Sequence, residues 1–350
     1  MTKLFDKAIV FTDIHFGLKN DSAQHNNDCI SFINWMISVA KEQNIDTCVF
    51  CGDYFHNRKF VNSSTLLAGM SGLSLLNDNF KNTYFLVGNH DMYHKNRRDI
   101  NSTNIAGLYP NIKFIKDITT IKDSTFVPFL IEDEHLNLTG LSSTFIFGHF
   151  ELPGYLLNKM SEMPDHGKEN HDMFDSRYVI SGHFHKRQQK TNKHGTKIIY
   201  TGNCFGHNFS DSWDDERGVM IIDHVSEPTF LEWPDAPTYR DIKYTDFVTK
   251  EPHVCKKNGT IKIYLDELID TQQMGAIRDR LKQNGIRDVI FAPIKTSVND
   301  IDENAIEQAL EVQETKLDNI VISQLQAVKS DTLDNQLLVQ LYLDLENNEI

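Results

Sequence analysis

Five short apolar runs constrain this chain most, because each stops at a side chain that a buried strand could not hold. Residues 8–12 (Ala-Ile-Val-Phe-Thr), 46–51 (Asp-Thr-Cys-Val-Phe-Cys), 83–87 (Thr-Tyr-Phe-Leu-Val), 144–147 (Thr-Phe-Ile-Phe) and 178–181 (Tyr-Val-Ile-Ser) are apolar, aromatic or β-branched. Runs of this kind read as buried strands. Each gives way to polar side chains, in Asp13-Ile14-His15, Gly52-Asp53, Gly88-Asn89-His90-Asp91, Gly148-His149 and Gly182-His183-Phe184-His185. Glycine precedes the polar residue in four of the five, which suits a sharp turn or a close backbone approach. Loops at strand ends let such side chains converge while a sheet holds them in place.

The residue types define the chemistry. Imidazole, carboxylate and amide oxygen without thiolate suit hard and borderline divalent ions, chiefly Mn²⁺, Mg²⁺, Fe²⁺ or Zn²⁺. Two such ions about 3.5–4 Å apart can clamp a phosphate and activate a water. One carboxylate must then serve both, and Asp53, alone after its glycine, is the natural bridge.

Residues 1–238 alternate strand-like and helix-like segments. Helical spacing runs from Asn27 to Gln43 and from Ser63 to Asn77, and strand signals crowd together after residue 111. The pattern predicts an α/β fold of two stacked mixed β-sheets flanked by helices. Pro228, Pro234 and Pro237 close this domain. Residues 239–294 read as a small α+β module, with strands at Ile261–Leu265 and Val289–Ala292 around a helix from Asp270 to Asn284. Residues 295–350 read as a helical segment. It carries twelve acidic residues and three lysines, so most of the chain's net charge of −14 lies there, away from the expected site. The five cysteines are odd in number and scattered; Cys48 and Cys51 have a C-x-x-C spacing but lie in a strand, where they face opposite sides and read as core. No run is long enough to span a bilayer, and no signal-peptide pattern precedes the first strand. A cytoplasmic protein is expected, in the host cell's cytoplasm if the chain is phage-encoded.

The set D-x-H, G-D, G-N-H-D, G-H and G-H-x-H, in this order, resembles the calcineurin-like metallophosphoesterase superfamily over about residues 4–225. The resemblance implies that Asp13, His15, Asp53 and His185 bind one ion, and that Asp53, Asn89, His149 and His183 bind a second. It implies that His90 contacts the scissile phosphate and that Asp91 orients His90. Gly-Asp-Tyr-Phe-His, placing His56 three residues after Asp53, and Gly-His-Phe-Glu-Leu at 148–152 are closer to the SbcD-type DNA repair nucleases, above all to those of T-even-like bacteriophages. In these, the counterpart of His56 faces DNA, the small module caps the site and recognises DNA, and the terminal helices bind an SMC-like coiled-coil ATPase. The resemblance thus implies a Mn²⁺-dependent (or Mg²⁺-dependent) exonuclease or endonuclease acting in recombination and double-strand-break repair. It also suggests a homodimer, to which residues 60–80 or 95–110 could contribute.

Basic residues come directly after two of the loops: Lys95, Arg97 and Arg98 after the third, Lys186, Arg187 and Lys190 after the fifth. There they could meet the phosphates of a bound strand, and His207, in a glycine-containing loop after a strand, could touch substrate. Among the other histidines, His94, His166, His171, His194, His224 and His253 match no motif. A small-molecule phosphomonoesterase or cyclic-nucleotide phosphodiesterase would share the same fold. A non-catalytic scaffold would be expected to have lost ligands, and none of the positions is missing.

Overall fold

Alternation along the strands decides where the layers meet. In β1 (Lys7–Phe11), Ala8 and Val10 enter one apolar cluster and Ile9 and Phe11 another. Both faces are buried, which is why the strand reads as a continuous apolar run. The computed structural model describes residues 2–138, 143–157, 161–165 and 167–294. The expected helical segment 295–350 and His166 lie outside the described residues.

Two six-stranded sheets form the core. The first has the order β14 (Thr229–Glu232), β13 (Gly218–Asp223), β1, β2 (Thr47–Phe50), β3 (Asn82–Leu86) and β6 (Ile112–Ile115). Its β1, β2, β3 and β6 run parallel, and β13 and β14 are antiparallel additions at one edge. The second has the order β11 (Gln188–Thr191), β12 (Lys197–Tyr200), β10 (Tyr178–Gly182), β9 (Phe145–His149), β8 (Ser124–Val127) and β7 (Thr119–Ile121). Its four inner strands are parallel and both edges antiparallel. Val10, Val49 and Leu86 of the first sheet share one buried cluster with Phe126, Phe147 and Ile180 of the second, so the sheets are stacked face to face.

The outer face of the first sheet is covered by α1 (Ala23–Glu42) and α2 (Ser63–Asn79), which bury Phe32, Met36 and Leu73 against Phe11, Phe50 and Phe85. Helix α1 starts four residues before the expected Asn27, because the Ser22 hydroxyl accepts from the His25 N–H and caps it there. Cys48 packs under the helices and Cys51 between the sheets; both are buried free thiols, as a core reading requires.

The hairpin β4 (Met92–His94) and β5 (Arg97–Asn101) has no apolar alternation to reveal it. Its pattern is inverted, with Arg98 and Asn101 buried and Ile100 half exposed. Beyond the sandwich, β15 (Thr238–Lys243), α3 (Tyr244–Val254), β16 (Gly259–Leu265), α4 (Thr271–Gln283) and β17 (Asp288–Pro293) form a three-stranded parallel sheet with its own core of Ile242, Phe247, Ile261, Ile263 and Leu281. Arg287 fixes this module to α1 through a bidentate pair with Asp28, at 2.6 and 2.7 Å.

Candidate metal centre

The chain turns sharply as it leaves β1, β2 and β10. Asp13 and His15 both sit at φ 51°, Asp53 at 62° and His183 at 87°. A left-handed backbone costs a non-glycine residue of order 1–3 kcal/mol, and persists only where surrounding structure enforces it. Here the loops brace one another: Asp13 N–H donates to the Gly52 carbonyl at 3.0 Å and His15 N–H to that of Asp53 at 3.2 Å. Glycine makes room for this. A Cβ on Gly88 would lie 2.1 Å from Asp53 Oδ1, and one on Gly182 would lie 2.0 Å from Thr12 Oγ1.

Two groups that include a carboxylate result. The ligand atoms of Asp13, His15 and His185 lie within 4.8 Å of one another, as do those of Asp53, His149 and His183. Asp53 Oδ2 is 3.7 Å from His15 Nε2 and 3.3 Å from His149 Nε2, so one carboxylate oxygen faces both groups. The Asn89 side-chain amide joins the second group, 2.9 Å from His149 Nε2 and 2.9 Å from His183 Nδ1. Asp13 is oriented by the Thr12 hydroxyl at 2.6 Å and the His183 N–H at 3.1 Å.

The set fits two divalent cations. His15 is buried and neither of its ring nitrogens has a hydrogen-bond partner, a costly state for a polar group unless a ligand uses the lone pair. Burial alone would raise the Asp53 carboxyl, but His149, His90 and His15 hold it well below the usual range. Burial works against charge on His149 too, yet the Asp53 carboxylate pushes it up to about 9. Such a pair can exchange its proton for a metal ion.

His90 adjoins the first group, its ring 4.8 Å from that of His15 and stacked on His56 at 5.3 Å. Its Nδ1 lies 2.7 Å from the His56 carbonyl, and its backbone N–H donates to Asp53 Oδ1 at 2.9 Å. Asp91 differs from expectation. Its carboxylate does not meet the His90 ring; it accepts from the N–H groups of Asp53, Tyr54, Phe55 and Gly88. The His56 carbonyl orients His90, and Asp91 holds the loop that carries Asp53.

Two of the residues expected at a DNA surface point inward. Arg98 is 6% exposed, its guanidinium paired with Glu134 and donating to the carbonyls of Lys116 and Phe129. It is an internal anchor, because β5 turns Arg98 and Asn101 into the protein. His207 is buried beneath the first group, its ring 5.5 Å from that of His15 and 5.4 Å from that of His185. Arg187 is half buried over the Phe230 ring. Lys95, Arg97 and Lys190 are exposed, and Lys186 lies 3.9 Å from Asp214. Thr12 and His25, whose Nε2 lies 2.9 Å from the His15 carbonyl, support the site without belonging to any motif.

Residues 7–187 match the family model for calcineurin-like phosphoesterases, over half of the chain. This chain belongs to the calcineurin-like phosphoesterase family. It is a metal-dependent phosphoesterase, and the family's fold implies two divalent ions at the groups just described. Exonuclease subunit 1 of Enterobacteria phage T4 is 28% identical over 249 residues, 68% of this chain and 70% of that protein. Among solved structures, a dimetal phosphatase from Danio rerio is 12% identical with a TM-score of 0.36, covering 61% of this chain and 91% of that one. The Pseudomonas putida nuclease MPE is 13% identical with a TM-score of 0.29, covering 56% and 77%. Among the described residues, no helix is long and apolar enough to cross a membrane.

Proposed function

We propose that this phosphoesterase is a DNA nuclease, using Mn²⁺ in preference to Mg²⁺, and the nuclease subunit of a recombination and repair complex. One observation carries the nuclease reading: the similarity to a phage exonuclease subunit extends over 249 residues, beyond what the family model covers. The preference for Mn²⁺ rests on the donor set, since imidazoles suit Mn²⁺ better than the oxygen-seeking Mg²⁺. The module at 239–294 caps the site and recognises DNA, and residues 295–350 bind an SMC-like coiled-coil ATPase. Lys95 and Arg97, exposed on the hairpin, contact DNA phosphates. Phe60, Leu67 and Met70, exposed at 75%, 68% and 42% on and before α2, form an apolar face suited to a second copy of the chain.

Asp13, His15, Asp53 and His185 would hold one ion, and Asp53, Asn89, His149 and His183 the other. Bound there, the ions would clamp a phosphodiester and lower the pKa of a water from about 15.7 toward about 7. The protein's own part is orientation and proton transfer. With Nδ1–H of His90 committed to the His56 carbonyl, the proton it can give a phosphoryl or leaving oxygen is on Nε2. Asp53 keeps its carboxylate ionised through the surrounding imidazoles.

The test is hydrolysis of end-labelled linear DNA and of p-nitrophenyl phosphate side by side in Mn²⁺. Expected are DNA degradation, little monoester cleavage, and loss of turnover in His90→Ala with ion uptake retained. Efficient monoester cleavage with intact DNA would replace this reading by a small-molecule phosphatase.

A further inference from the structure

An imidazole that binds a metal needs its other ring nitrogen held, since that bond selects tautomer and ring angle. His149 is held by backbone: its Nδ1 lies 2.7 Å from the Cys51 carbonyl, which turns Nε2 toward Asp53 and Asn89. His183 is used the other way round. Its Nδ1 faces the Asn89 side-chain amide at 2.9 Å, and its Nε2 lies 3.2 Å from Glu151 Oε1. We propose that Glu151 is a positioning residue of the second metal group, its carboxylate keeping the His183 proton on Nε2 so that the Nδ1 lone pair faces the ion. The inference rests on the two-group reading of the site.

The alternative tautomer shows why a carboxylate is needed. With its proton on Nδ1, His183 would turn an N–H rather than a lone pair toward the ion. An acceptor at Nε2 disfavours that tautomer. Glu151 is itself placed by a pinned loop: the N–H groups of Phe150, Glu151 and Leu152 donate to Ser181 Oγ, Glu169 Oε2 and Tyr200 Oη, at 2.9, 3.0 and 3.2 Å. Its side chain is 35% exposed, so replacing it opens no buried cavity.

The experiment is calorimetric titration of the full-length wild type, Glu151→Ala and Glu151→Gln with Mn²⁺, together with ¹⁵N-histidine NMR of the metal-free proteins. Wild type should take up two ions. Glu151→Ala should bind one of them about 10- to 100-fold more weakly, and should lose the downfield Nε2–H proton of His183. Glu151→Gln, whose carbonyl can still accept that proton, should stay within about threefold of wild type. Unchanged two-ion uptake in Glu151→Ala, or persistence of the Nε2–H signal, overturns the role of Glu151 and leaves the site standing. A wild type that takes up no pair of ions overturns the two-group reading, and this inference with it.

Discussion

Removing Arg98 should unfold this protein more readily without changing the salt dependence of the proposed DNA binding. Its side chain is 5% exposed, and donates at 2.7 Å to Lys116 O, at 2.6 Å to Phe129 O, and at 2.7 and 2.5 Å to the two oxygens of Glu134. Breaking a buried ion pair from one side costs about 3–5 kcal/mol. Glu134 is 26% exposed and water can partly resolvate it, while two carbonyls lose a charged donor, so about 3–4 kcal/mol is expected for Arg98→Ala. At roughly 2 °C per kcal/mol for a unit of this size, the melting temperature should fall by about 6–8 °C. Phe129 lies against the rings of His149 and His183, 6.1 and 5.8 Å away, so the loosened segment borders the second metal group. The assay is thermal unfolding monitored by circular dichroism, with DNA affinity measured against salt well below the transition. The logarithmic salt slope should match wild type, whereas a lost phosphate contact would flatten it by about 1. An unchanged melting temperature with a flatter slope would refute the anchor and restore Arg98 to the DNA surface.

Packing and burial set two further outcomes. Gly88→Ala would press a Cβ to 2.1 Å from Asp53 Oδ1 and 2.4 Å from Asp53 N, so calorimetry with Mn²⁺ should find loss of both ions; uptake like wild type would mean the loops yield where close packing says they cannot. Burial, with Glu151 adding to it, pushes the Glu169 carboxyl from 4.5 up to about 8. The folded state then holds the proton more tightly than the unfolded one, so stability falls as pH rises from about 4.5 to 8 and the penalty is complete above that, of order 5 kcal/mol. Glu169→Gln should therefore be close to wild type at pH 5 and clearly more stable at pH 8.5 in urea unfolding, and a gap that does not grow with pH would contradict the burial argument.

The motif residues were legible because each sits where an apolar run ends, and period-2 strands buried on both faces leave no other place for Asp or His. Fold class and the helices α1, α2 and α4 came from the same periodicities. What was illegible depends on partners distant in sequence or on backbone. No pattern marks the Cys51 carbonyl as the partner of His149, or that of His56 as the partner of His90. Arg98 reads as one of a basic trio until β5 is seen to bury it together with Asn101. Glu151 was visible in Gly-His-Phe-Glu-Leu, but its meeting with His183 depends on β9 and β10 lying side by side.

Asp91 offers the sharpest separation of the motif's implied role from the one its surroundings give it. Its two carboxylate oxygens accept four backbone N–H groups, from Asp53, Tyr54, Phe55 and Gly88, at 2.9 to 3.2 Å. Burial and the neighbouring Asp53 push its carboxyl up to about 7, so the site keeps it at a cost. That cost is explained if Asp91 holds Asp53 in its left-handed backbone, at φ 62°. Asp91→Asn is nearly isosteric but replaces one acceptor oxygen by an amide that can only donate, facing N–H groups that also donate. Whichever way the amide turns, about half of those bonds are lost and the 52–55 loop should relax. An Asp91 that serves only His90 would give a variant with normal ion uptake and impaired turnover. An Asp91 that serves Asp53 should instead weaken uptake of both ions together, because Asp53 Oδ2 faces both groups. Calorimetry on metal-free Asp91→Asn decides between them, and two ions bound at wild-type affinity would return Asp91 to His90.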